Sequence, residues 1–282
     1  MTEAWPAPAK LNLFLHVLGR RPDGYHELQT CFRLIDRCDR VWIEVTRDGR
    51  VRRPAGAAGV SEDADLAVRA ARLLRDRSGA RQGAVICVEK NIPAGGGLGG
   101  GSSDAATVLV ALNRLWRLDR PRDELATLGL ALGADVPVFV HGRCAWGEGV
   151  GERLVPIDLP PAWYLVVRPS CEVATAEVFA DPELTRHTPP TTISGFLSGQ
   201  SANDCEPVVR RRYPEVAQAL DWLRGYAPAR LTGTGACVFA AFGSESEARS
   251  PLAALPERWS GFVAAGLDSS PLLARERRAG SD

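Results

Sequence analysis

The segment from Pro93 to Ala106 reads PAGGGLGGGSSDAA and has the composition of a phosphate-binding loop. Its six glycines carry no Cβ atoms, so backbone amide groups can close around an anion. A predicted strand precedes the loop and an amphipathic helix follows it, and the helix N-terminus adds unpaired N–H groups and positive dipole charge. Ser102, Ser103 and Asp104 can cap this helix or contact phosphate oxygens and a metal ion. The pattern predicts a phosphate site, with a flexible linker as the alternative.

The loop differs from the two commonest phosphate-binding sequences. It lacks the Gly-Lys-Ser/Thr triplet of the Walker A motif. The dinucleotide fingerprint requires a continuous parallel sheet and an acidic residue after the next strand, and we do not assign it here. The loop therefore indicates another class of nucleotide site.

Lysine is scarce in this chain. Of the 34 basic residues only Lys10 and Lys90 are lysines, and all the others are arginines. A lysine ammonium is a compact, rotatable point charge, whereas an arginine guanidinium is a wide planar fork. Both lysines lie in or beside motifs, so we predict that these two positions require an ammonium. Chance retention is the alternative.

Lys10 and Asn12 lie two residues apart on a predicted strand and therefore face the same side. An ammonium on an otherwise apolar strand needs a partner or a bound anion, unless it reaches solvent at a sheet edge. Asp135 follows a predicted helix and precedes the apolar run Val136–Val140, which we interpret as a buried strand. We predict that Asp135 pairs with Lys10, stays ionised, and accepts a hydroxyl proton or aligns the hydroxyl. A turn-capping aspartate is the alternative.

Two further segments carry candidate binding residues. Tyr25 and His26 follow the polar turn Arg20–Gly24, and an aromatic ring beside an imidazole can stack on a base and hydrogen-bond to it. Surface packing is the alternative for this pair. Residues Leu231–Phe239 read LTGTGACVF, a second glycine turn before a strand. This turn can approach a phosphate, brace the first loop or be an ordinary tight turn.

The elements that must position these residues follow from the hydrophobic periodicity of the chain. The predicted strands are residues 11–18, 31–35, 41–45, 85–89, 163–168, 237–242 and 261–265. The predicted helices are residues 65–77, 105–115, 121–132, 213–226 and 244–255.

Three prolines fall within residues 154–161, and we place a domain boundary there. Strands and helices are mixed on both sides of it, which predicts an α+β protein of two domains, residues 1–156 and 157–282. A chain of 282 residues is long enough for two modest domains.

Composition argues against several functional classes. The formal net charge is zero and the basic residues form no single tract, which disfavours a nucleic-acid-binding protein. No apolar run approaches the roughly 20 residues of a membrane span, and residues 1–10 lack the features of a secretory signal. The seven cysteines form no CxxC pair, and the four histidines show no metal-ligand spacing. We therefore expect a cytoplasmic protein with reduced cysteines, no membrane attachment and no nucleic-acid partner.

Taken together, the motifs resemble those of the GHMP kinase superfamily over nearly the whole chain. They are PAKLNLFLHVLGRRPDGYHEL, PAGGGLGGGSSDAATVL, LGADVPVF, WGEGVGE, ANDCEP and LTGTGACVFA. The resemblance implies a ribosomal-protein-S5-like N-terminal domain and a ferredoxin-like C-terminal domain, with the active site between them. It also implies ATP-dependent phosphorylation, assisted by Mg²⁺, of a hydroxyl on a small cytidine-tagged acceptor of isoprenoid precursor synthesis.

The resemblance further implies roles for individual residues. Asp135 is the expected base, with Lys10 orienting it and balancing its charge. Tyr25 and Phe179 are expected to sandwich the cytosine, with His26 bonding to its edge. The remaining substrate-binding residues are Asn12 and Thr175. The expected ATP-binding residues are Asp65, Leu66, Lys90, Pro93, Ala94, Gly95, Gly96, Gly97, Leu98, Gly99, Gly100, Gly101, Ser102, Ser103 and Asp104.

Three departures and several alternatives accompany this assignment. Asp65 stands where the family often has asparagine, Ala176 stands where some relatives have proline, and Asp104 stands where asparagine also occurs in relatives. Another GHMP kinase, acting on homoserine, mevalonate or a sugar, is the second hypothesis, and a non-catalytic nucleotide-binding regulator is the third. A small-molecule substrate is the expected partner, and a homodimer is a candidate assembly. The sequence assigns no magnesium ligands.

Overall fold

A computed structural model describes residues 3–54, 60–199 and 202–279. Its strands are β1 (Trp5–Arg20), β2 (His26–Thr46), β3 (Val51–Arg52), β4 (Gly83–Glu89), β5 (Ala145–Gly149), β6 (Arg153–Pro156), β7 (Trp163–Arg168), β8 (Ala229–Leu231), β9 (Val238–Phe242) and β10 (Ser260–Leu267). Its helices are α1 (Leu66–Ser78), α2 (Gly100–Leu115), α3 (Arg122–Leu130), α4 (Val136–His141), α5 (Thr175–Ala180), α6 (Ile193–Leu197), α7 (Glu206–Arg212), α8 (Pro214–Arg224), α9 (Glu245–Ala253) and α10 (Pro271–Arg278).

Strands β1 and β2 form a long antiparallel hairpin that carries the N-terminal motif. A short polar turn joins them, in which the Arg21 N–H donates to the Tyr25 carbonyl and Gly24 takes a φ of +89°. Only glycine adopts that φ without strain, so the polar turn predicted before Tyr25 follows directly from the sequence.

Strand β2 is continuous where the sequence predicts two strands, 31–35 and 41–45. The polar residues between them stay extended because β1 pairs with residues 38–41 and β4 pairs from residue 40 onward. A bulge in β2 accommodates two extra residues, Asp36 and Arg37, since Ala9 lies opposite Ile35 while the preceding Pro8 lies opposite Cys38. The prediction of two separate strands was wrong, because hydrophobic periodicity carries no information on which neighbouring strands will pair with a segment.

One sheet runs through both halves of the molecule. Among the described strands the hydrogen-bonded order is β3-β4-β2-β10-β7-β9-β8, with β1 and β5 also on β2 and β6 on β5. Strand β10 joins the halves, because it pairs with β7 and also with β2, where Gly266 lies opposite Ile35. The last strand of the chain thus returns to the first half.

Helix α2 is the centre of the first core. Every residue from Ser103 to Asn113 is buried, so the helix is covered on all sides. Helices α1 and α4 and strand β1 pack against it. Because α2 begins at Gly100, its burial holds the end of the glycine loop in place.

The run Val136–Val140 is helical, and its prediction as a strand was wrong. It forms α4, which ends at His141 and is capped by Gly142 with a φ of +66°. Pro137 lies in the first turn, where a missing N–H breaks no hydrogen bond, whereas inside a strand it would break the ladder. All five residues of the run are buried, which removes the periodicity that distinguishes a helix from a strand. Asp135 therefore lies at a helix N-terminus.

The second half has a core of its own. Val216, Leu220 and Leu223 are buried on α8 and pack in the cluster that includes β7 and β9, which confirms the helix predicted at 213–226. The sequence predicts none of α5, α6 and α7, because five to seven residues are too few for an amphipathic period. Across the described ranges, no helix combines the length and the apolar character of a membrane span.

The cysteines are free thiols, and four of the seven are buried. Burial raises the pKa of Cys38, Cys205 and Cys237 to about 12. These thiols therefore stay protonated at neutral pH, which fits the packed, reduced cysteines expected from the sequence.

Candidate active site

The glycine loop has an alternating backbone that only glycine supports. Gly95, Gly97 and Gly99 take φ values of +66°, +73° and +72°. A Cβ on Gly97 would lie 2.2 Å from the Thr232 carbonyl oxygen, and one on Gly99 would lie 2.8 Å from the Phe139 ring. Successive amides in such a conformation form a concave surface for an anion, next to the N-terminus of α2.

The second glycine turn lies directly against this loop. The N–H groups of Ala236 and Cys237 donate to the carbonyls of Gly95 and Gly96, each over 3.2 Å. The loop is thus paired on one side with the second half of the chain. Of the three interpretations of LTGTGACVF, these hydrogen bonds favour the one in which the second turn supports the first loop.

The Thr232 hydroxyl connects three segments of the site. It accepts a hydrogen bond from the Asn12 N–H over 3.0 Å and donates to the Gly97 carbonyl over 3.2 Å. The same loop is tied to β1 once more, where the Lys10 N–H donates to the Leu98 carbonyl over 3.0 Å. Thr232 is fully buried, so water does not replace these bonds. Sequence reasoning missed this residue, although its motif was singled out.

Lys10 and Asp135, far apart in sequence, meet in the structure. Lys10 Nζ lies 3.1 Å from Asp135 Oδ2 and donates to Asn12 Oδ1 over 2.5 Å. The Lys10 side chain is 4% exposed and that of Asp135 is 31% exposed. The ammonium also lies 5.5 Å from the centre of the Phe32 ring, a cation–π contact. A buried ammonium with two oxygen partners leaves Asp135 as the accessible member of the pair.

The Asn12 amide is held from its other end as well. Its Nδ2 donates to Thr30 Oγ1 over 2.9 Å, and that hydroxyl donates to the Phe14 carbonyl over 2.6 Å. This chain fixes the amide so that its oxygen faces Lys10. Lys10 and Asn12 can form this bond because, two residues apart on β1, they face the same side of the strand, as their spacing predicts.

A cavity of about 440 Å³ lies along the glycine loop. Every residue predicted to bind ATP lines it except Ser103. Its other lining residues are Arg53, Val60, Ala64, Val88 and Ile92. Ser103 is fully buried, and its hydroxyl donates to the Pro8 carbonyl over 2.6 Å, which ties α2 to β1 instead.

A second cavity, of about 350 Å³, contains the Lys10–Asp135 pair. Predicted residues that line it are Lys10, Asn12, Asp135, Thr175 and Phe179. Its other lining residues are Leu15, Leu28, Thr30, Phe32, Gly97, Gly99, Ser102, Ala134, Val150, Gly151, Gly233 and Thr234. Gly97, Gly99 and Ser102 line both cavities, so the glycine loop is the wall between them.

Lys90 forms ion pairs with two buried carboxylates at the first cavity, while its own side chain is 29% exposed. Its Nζ donates to Asp104 Oδ2 over 2.6 Å and also to Asp39 Oδ2. Asp39 is fully buried and accepts from the N–H groups of Asn91 and Ile92, which fixes the chain that carries Lys90. Burial raises the pKa of Asp104 to about 7, with Lys90 opposing that rise. Sequence reasoning missed Asp39, which lies in the polar stretch taken as a strand break.

Asp65 and Leu66 begin helix α1 at the rim of the same cavity. Asp65 Oδ1 caps the helix, accepting from the Ala67 N–H over 2.7 Å, while Oδ2 pairs with Arg53. Both carboxylate oxygens therefore have protein partners. An asparagine here could cap the helix equally well but would form no ion pair with Arg53.

Of the residues predicted to bind the cytidyl acceptor, all but His26 line one of two adjoining cavities. Thr175 and Phe179, on α5, line the second cavity, and Thr175 Oγ1 lies 2.8 Å from Thr234 Oγ1. Tyr25 is 64% exposed and lines a third cavity of about 330 Å³. Residues Ala134 and Val150 line both the second and third cavities, so the cavity of Tyr25 adjoins that of Phe179.

His26 is buried behind Phe179. The two rings stack with centroids 5.1 Å apart and planes at 28°. Burial, then the charges of Arg186 and Arg20, lower the pKa of His26, so the imidazole is neutral at pH 7. The structure thus brings His26 to Phe179 rather than to Tyr25, its neighbour in sequence.

Comparison with known proteins relates the whole chain to one family. The GHMP kinases N-terminal domain family matches residues 65–143, and the GHMP kinases C-terminal family matches residues 193–261. The 4-diphosphocytidyl-2-C-methyl-D-erythritol kinase of Alkalilimnicola ehrlichii is 61% identical over 97% of this chain and 94% of its own length. That of Halorhodospira halophila is 58% identical over 99% of this chain and its full length.

Solved structures agree with this relationship. A crystal structure of 4-(cytidine 5'-diphospho)-2C-methyl-D-erythritol kinase superimposes with a TM-score of 0.81 at 35% identity, covering 93% of this chain and 98% of that one. The mevalonate kinase of Methanococcus jannaschii, at 17% identity, gives a TM-score of 0.69 over 94% of this chain and 99% of its own, a likeness of fold. These matches confirm the two-domain α+β architecture predicted from the motifs.

Replacing Thr232 by valine keeps the shape of the side chain and removes its hydroxyl. The Asn12 N–H then loses its acceptor in a buried place, so we expect the free energy of unfolding to fall by about 1–3 kcal/mol. ATP affinity should fall with it, because Gly97 loses its anchor. Urea denaturation and titration calorimetry with ATP measure the two effects.

Thr107→Val is the matched control. The Thr107 hydroxyl is also buried but has no hydrogen-bond partner among the described residues, so its removal should leave stability unchanged or higher. Equal effects of the two substitutions would contradict a linking role for Thr232.

Proposed function

We propose a reaction from one premise: this chain belongs to the 4-diphosphocytidyl-2-C-methyl-D-erythritol kinases of the GHMP kinase family. It is an ATP-dependent kinase of a small molecule. Its reaction transfers the γ-phosphate of ATP to the 2-hydroxyl of 4-diphosphocytidyl-2-C-methyl-D-erythritol, a step of isoprenoid precursor synthesis.

The shared wall between the two cavities is the observation that carries this proposal. A nucleotide in the first cavity, with its phosphates along the glycine loop, would bring its γ-phosphate to Gly97, Gly99 and Ser102. The same three residues line the cavity of Lys10 and Asp135. An acceptor hydroxyl in that second cavity would therefore lie next to the γ-phosphate, as direct transfer requires.

Asp135 and Lys10 supply the chemistry on the acceptor side. The acceptor oxygen forms a bond to the γ-phosphorus, the bond from that phosphorus to the β–γ bridging oxygen breaks, and ADP leaves. Asp135 accepts the hydroxyl proton or aligns the hydroxyl, since its carboxylate is the accessible member of the ion pair. Lys10, held by Asn12, orients Asp135 and balances negative charge. Most of the acceleration comes from positioning and charge stabilisation.

We propose Mg²⁺ as the metal ion that accompanies ATP, where it would neutralise charge on the phosphates. Mg²⁺ commonly binds through substrate phosphates, waters and one or two protein oxygens. The protein oxygen we assign to it is the Ser102 hydroxyl, which lies on the wall shared by both cavities. Within the described residues no group of three or more histidine, cysteine or acidic side chains is placed to hold a metal without the nucleotide.

The aromatic residues favour a cytidine-tagged acceptor over the other substrates of GHMP kinases. Phe179 lines the second cavity and Tyr25 the adjoining third cavity, and a planar base bound between the two rings would stack on both. Homoserine, mevalonate and sugars offer no ring for such a clamp. The intact Lys10–Asp135 pair speaks against a non-catalytic regulator. Asn12 and Thr175 would contact the acceptor from the cavity wall.

Domain limits, assembly and location are proposals of the same kind. Domains of residues 1–156 and 157–282 place the boundary between β6 and β7, with the end residues 1, 2 and 280–282 outside the described ranges. We propose a homodimer as the assembly. A cytoplasmic location is supported by the seven free thiols.

The first test is a panel of acceptors. The pure protein with ATP and Mg²⁺ should release ADP with 4-diphosphocytidyl-2-C-methyl-D-erythritol and not with homoserine, mevalonate or galactose, as followed by a coupled ADP assay. Absence of turnover with the cytidyl acceptor would contradict the proposal.

Replacing Asp135 by asparagine should lower kcat by a factor of about 100 to 10,000, the range of a lost proton acceptor. ATP affinity should stay close to that of the wild type, because Asp135 does not line the nucleotide cavity. Steady-state kinetics and calorimetry give the two values. Asp76→Asn, which changes an exposed carboxylate on α1, is the control. Full activity of the Asp135 variant would remove this residue from the mechanism.

Lys10→Arg tests whether the site needs an ammonium. The buried space beside Gly99 and the Phe32 ring fits a compact charge, and a guanidinium fork would displace Asp135. We expect kcat to fall about 100-fold or more, the usual effect of misplaced catalytic groups. Lys90→Arg, in the nucleotide cavity, should instead raise the KM for ATP. Wild-type kinetics for Lys10→Arg would refute the inference drawn from lysine scarcity.

A further inference from the structure

The Arg186 guanidinium lies between the start of β2 and the end of α5. Its Nε–H donates to Nε2 of His26 over 3.1 Å. One terminal nitrogen donates to the carbonyls of Phe179 and Asp181, both at 2.8 Å, and the other donates to the Leu184 carbonyl at 3.1 Å. Arg186 therefore contacts both His26 and the residue that stacks on it.

The bond to His26 decides where the imidazole carries its proton. An arginine Nε always bears a hydrogen, so Nε2 of His26 must accept. In the neutral ring the proton then resides on Nδ1, which becomes a donor. Burial lowers the pKa of His26, and the charges of Arg186 and Arg20 lower it further, so the ring remains neutral at pH 7. In a protonated ring, the Nε2–H of His26 would point at the Nε–H of Arg186, and neither group could accept.

The bonds to the carbonyls fix the position of Phe179. Helix α5 ends at Ala180, and the carbonyls of its last turn have no partner within the helix. Arg186 satisfies the one on Phe179 and also brings positive charge to the negative end of the helix dipole. The Phe179 ring is thereby held stacked on His26, with centroids 5.1 Å apart and planes at 28°.

We propose that Arg186 is a positioning residue for recognition of the base, an inference that rests on the proposed function. It holds His26 as the Nδ1–H form and keeps the imidazole stacked on Phe179. The pair then offers the incoming base one aromatic face and one hydrogen-bond donor. Cytosine suits this arrangement, because its O2 and N3 are two neighbouring acceptors. Uracil has a hydrogen on N3 and offers only the carbonyl oxygens.

Arg212 provides a control for mere anchoring of α5. It donates to the Asp181 side chain over 3.1 Å and to that of Glu177 over 3.3 Å, so it also supports this helix. It makes no contact with His26 among the described residues. Any effect that comes only from a looser α5 should therefore be the same in Arg212→Met and Arg186→Met. Loss of the imidazole orientation should occur only in Arg186→Met.

The direct test reads the proton on His26 by NMR and needs no substrate. In protein labelled with ¹⁵N-histidine, long-range ¹H–¹⁵N correlations at neutral pH should show His26 as the Nδ1–H form in the wild type and in Arg212→Met. His26→Gln identifies the signals. In Arg186→Met we expect a mixture with the Nε2–H form. An Nε2–H ring in the wild type would overturn the proposal, whether or not the variant folds.

The kinetic test separates positioning of the base from the chemical step. Arg186→Met should raise the KM for the cytidyl acceptor about tenfold, the value of one lost hydrogen bond, and leave the KM for ATP unchanged. Arg212→Met should leave both constants near wild type. A wild-type KM for the acceptor in a folded Arg186→Met, or an equal rise in Arg212→Met, would refute a role in base recognition. If the acceptor proves not to be a substrate at all, the NMR result still decides how Arg186 acts on His26.

Discussion

The buried ammonium of Lys10 is the constraint on which the rest of the site depends. A charge removed from water must be paired and hydrogen-bonded, and here Asp135 and Asn12 supply both. Asp135 comes from the N-terminus of α4 and Asn12 from the same strand as Lys10. The backbone of Lys10 also holds Leu98 of the glycine loop. One strand therefore fixes the acceptor side and the phosphate side of the reaction together.

The two halves of the chain are joined at the same place. The second glycine turn pairs with the loop through Ala236 and Cys237, and Thr232 bonds to both Asn12 and Gly97. Strand β10 also joins the halves, because it pairs with β2 of the first half and with β7 of the second. A site built between two cores in this way needs rigid links across the boundary, because neither half alone positions both substrates.

Much of the site was accessible from the residues themselves. Glycines with positive φ, a lysine on an apolar strand and an aspartate before an apolar run each break a local rule of composition, and such places are often functional. The elements were less predictable. Val136–Val140 is helical because burial on all sides removes the periodic signal, and β2 continues through residues 36–40 because neighbouring strands pair with it.

The sequence by itself determined the chemistry available to this protein: a phosphate loop, two lysines that arginine did not replace, and aromatic residues for a base. Only the tertiary structure decided which groups meet. It turned Ser103 inward to Pro8, placed Asp39 beneath Lys90, and set Arg186 behind His26. These contacts join residues 51 to 160 positions apart, and no local pattern encodes them, because they depend on how separate elements pack around two cores.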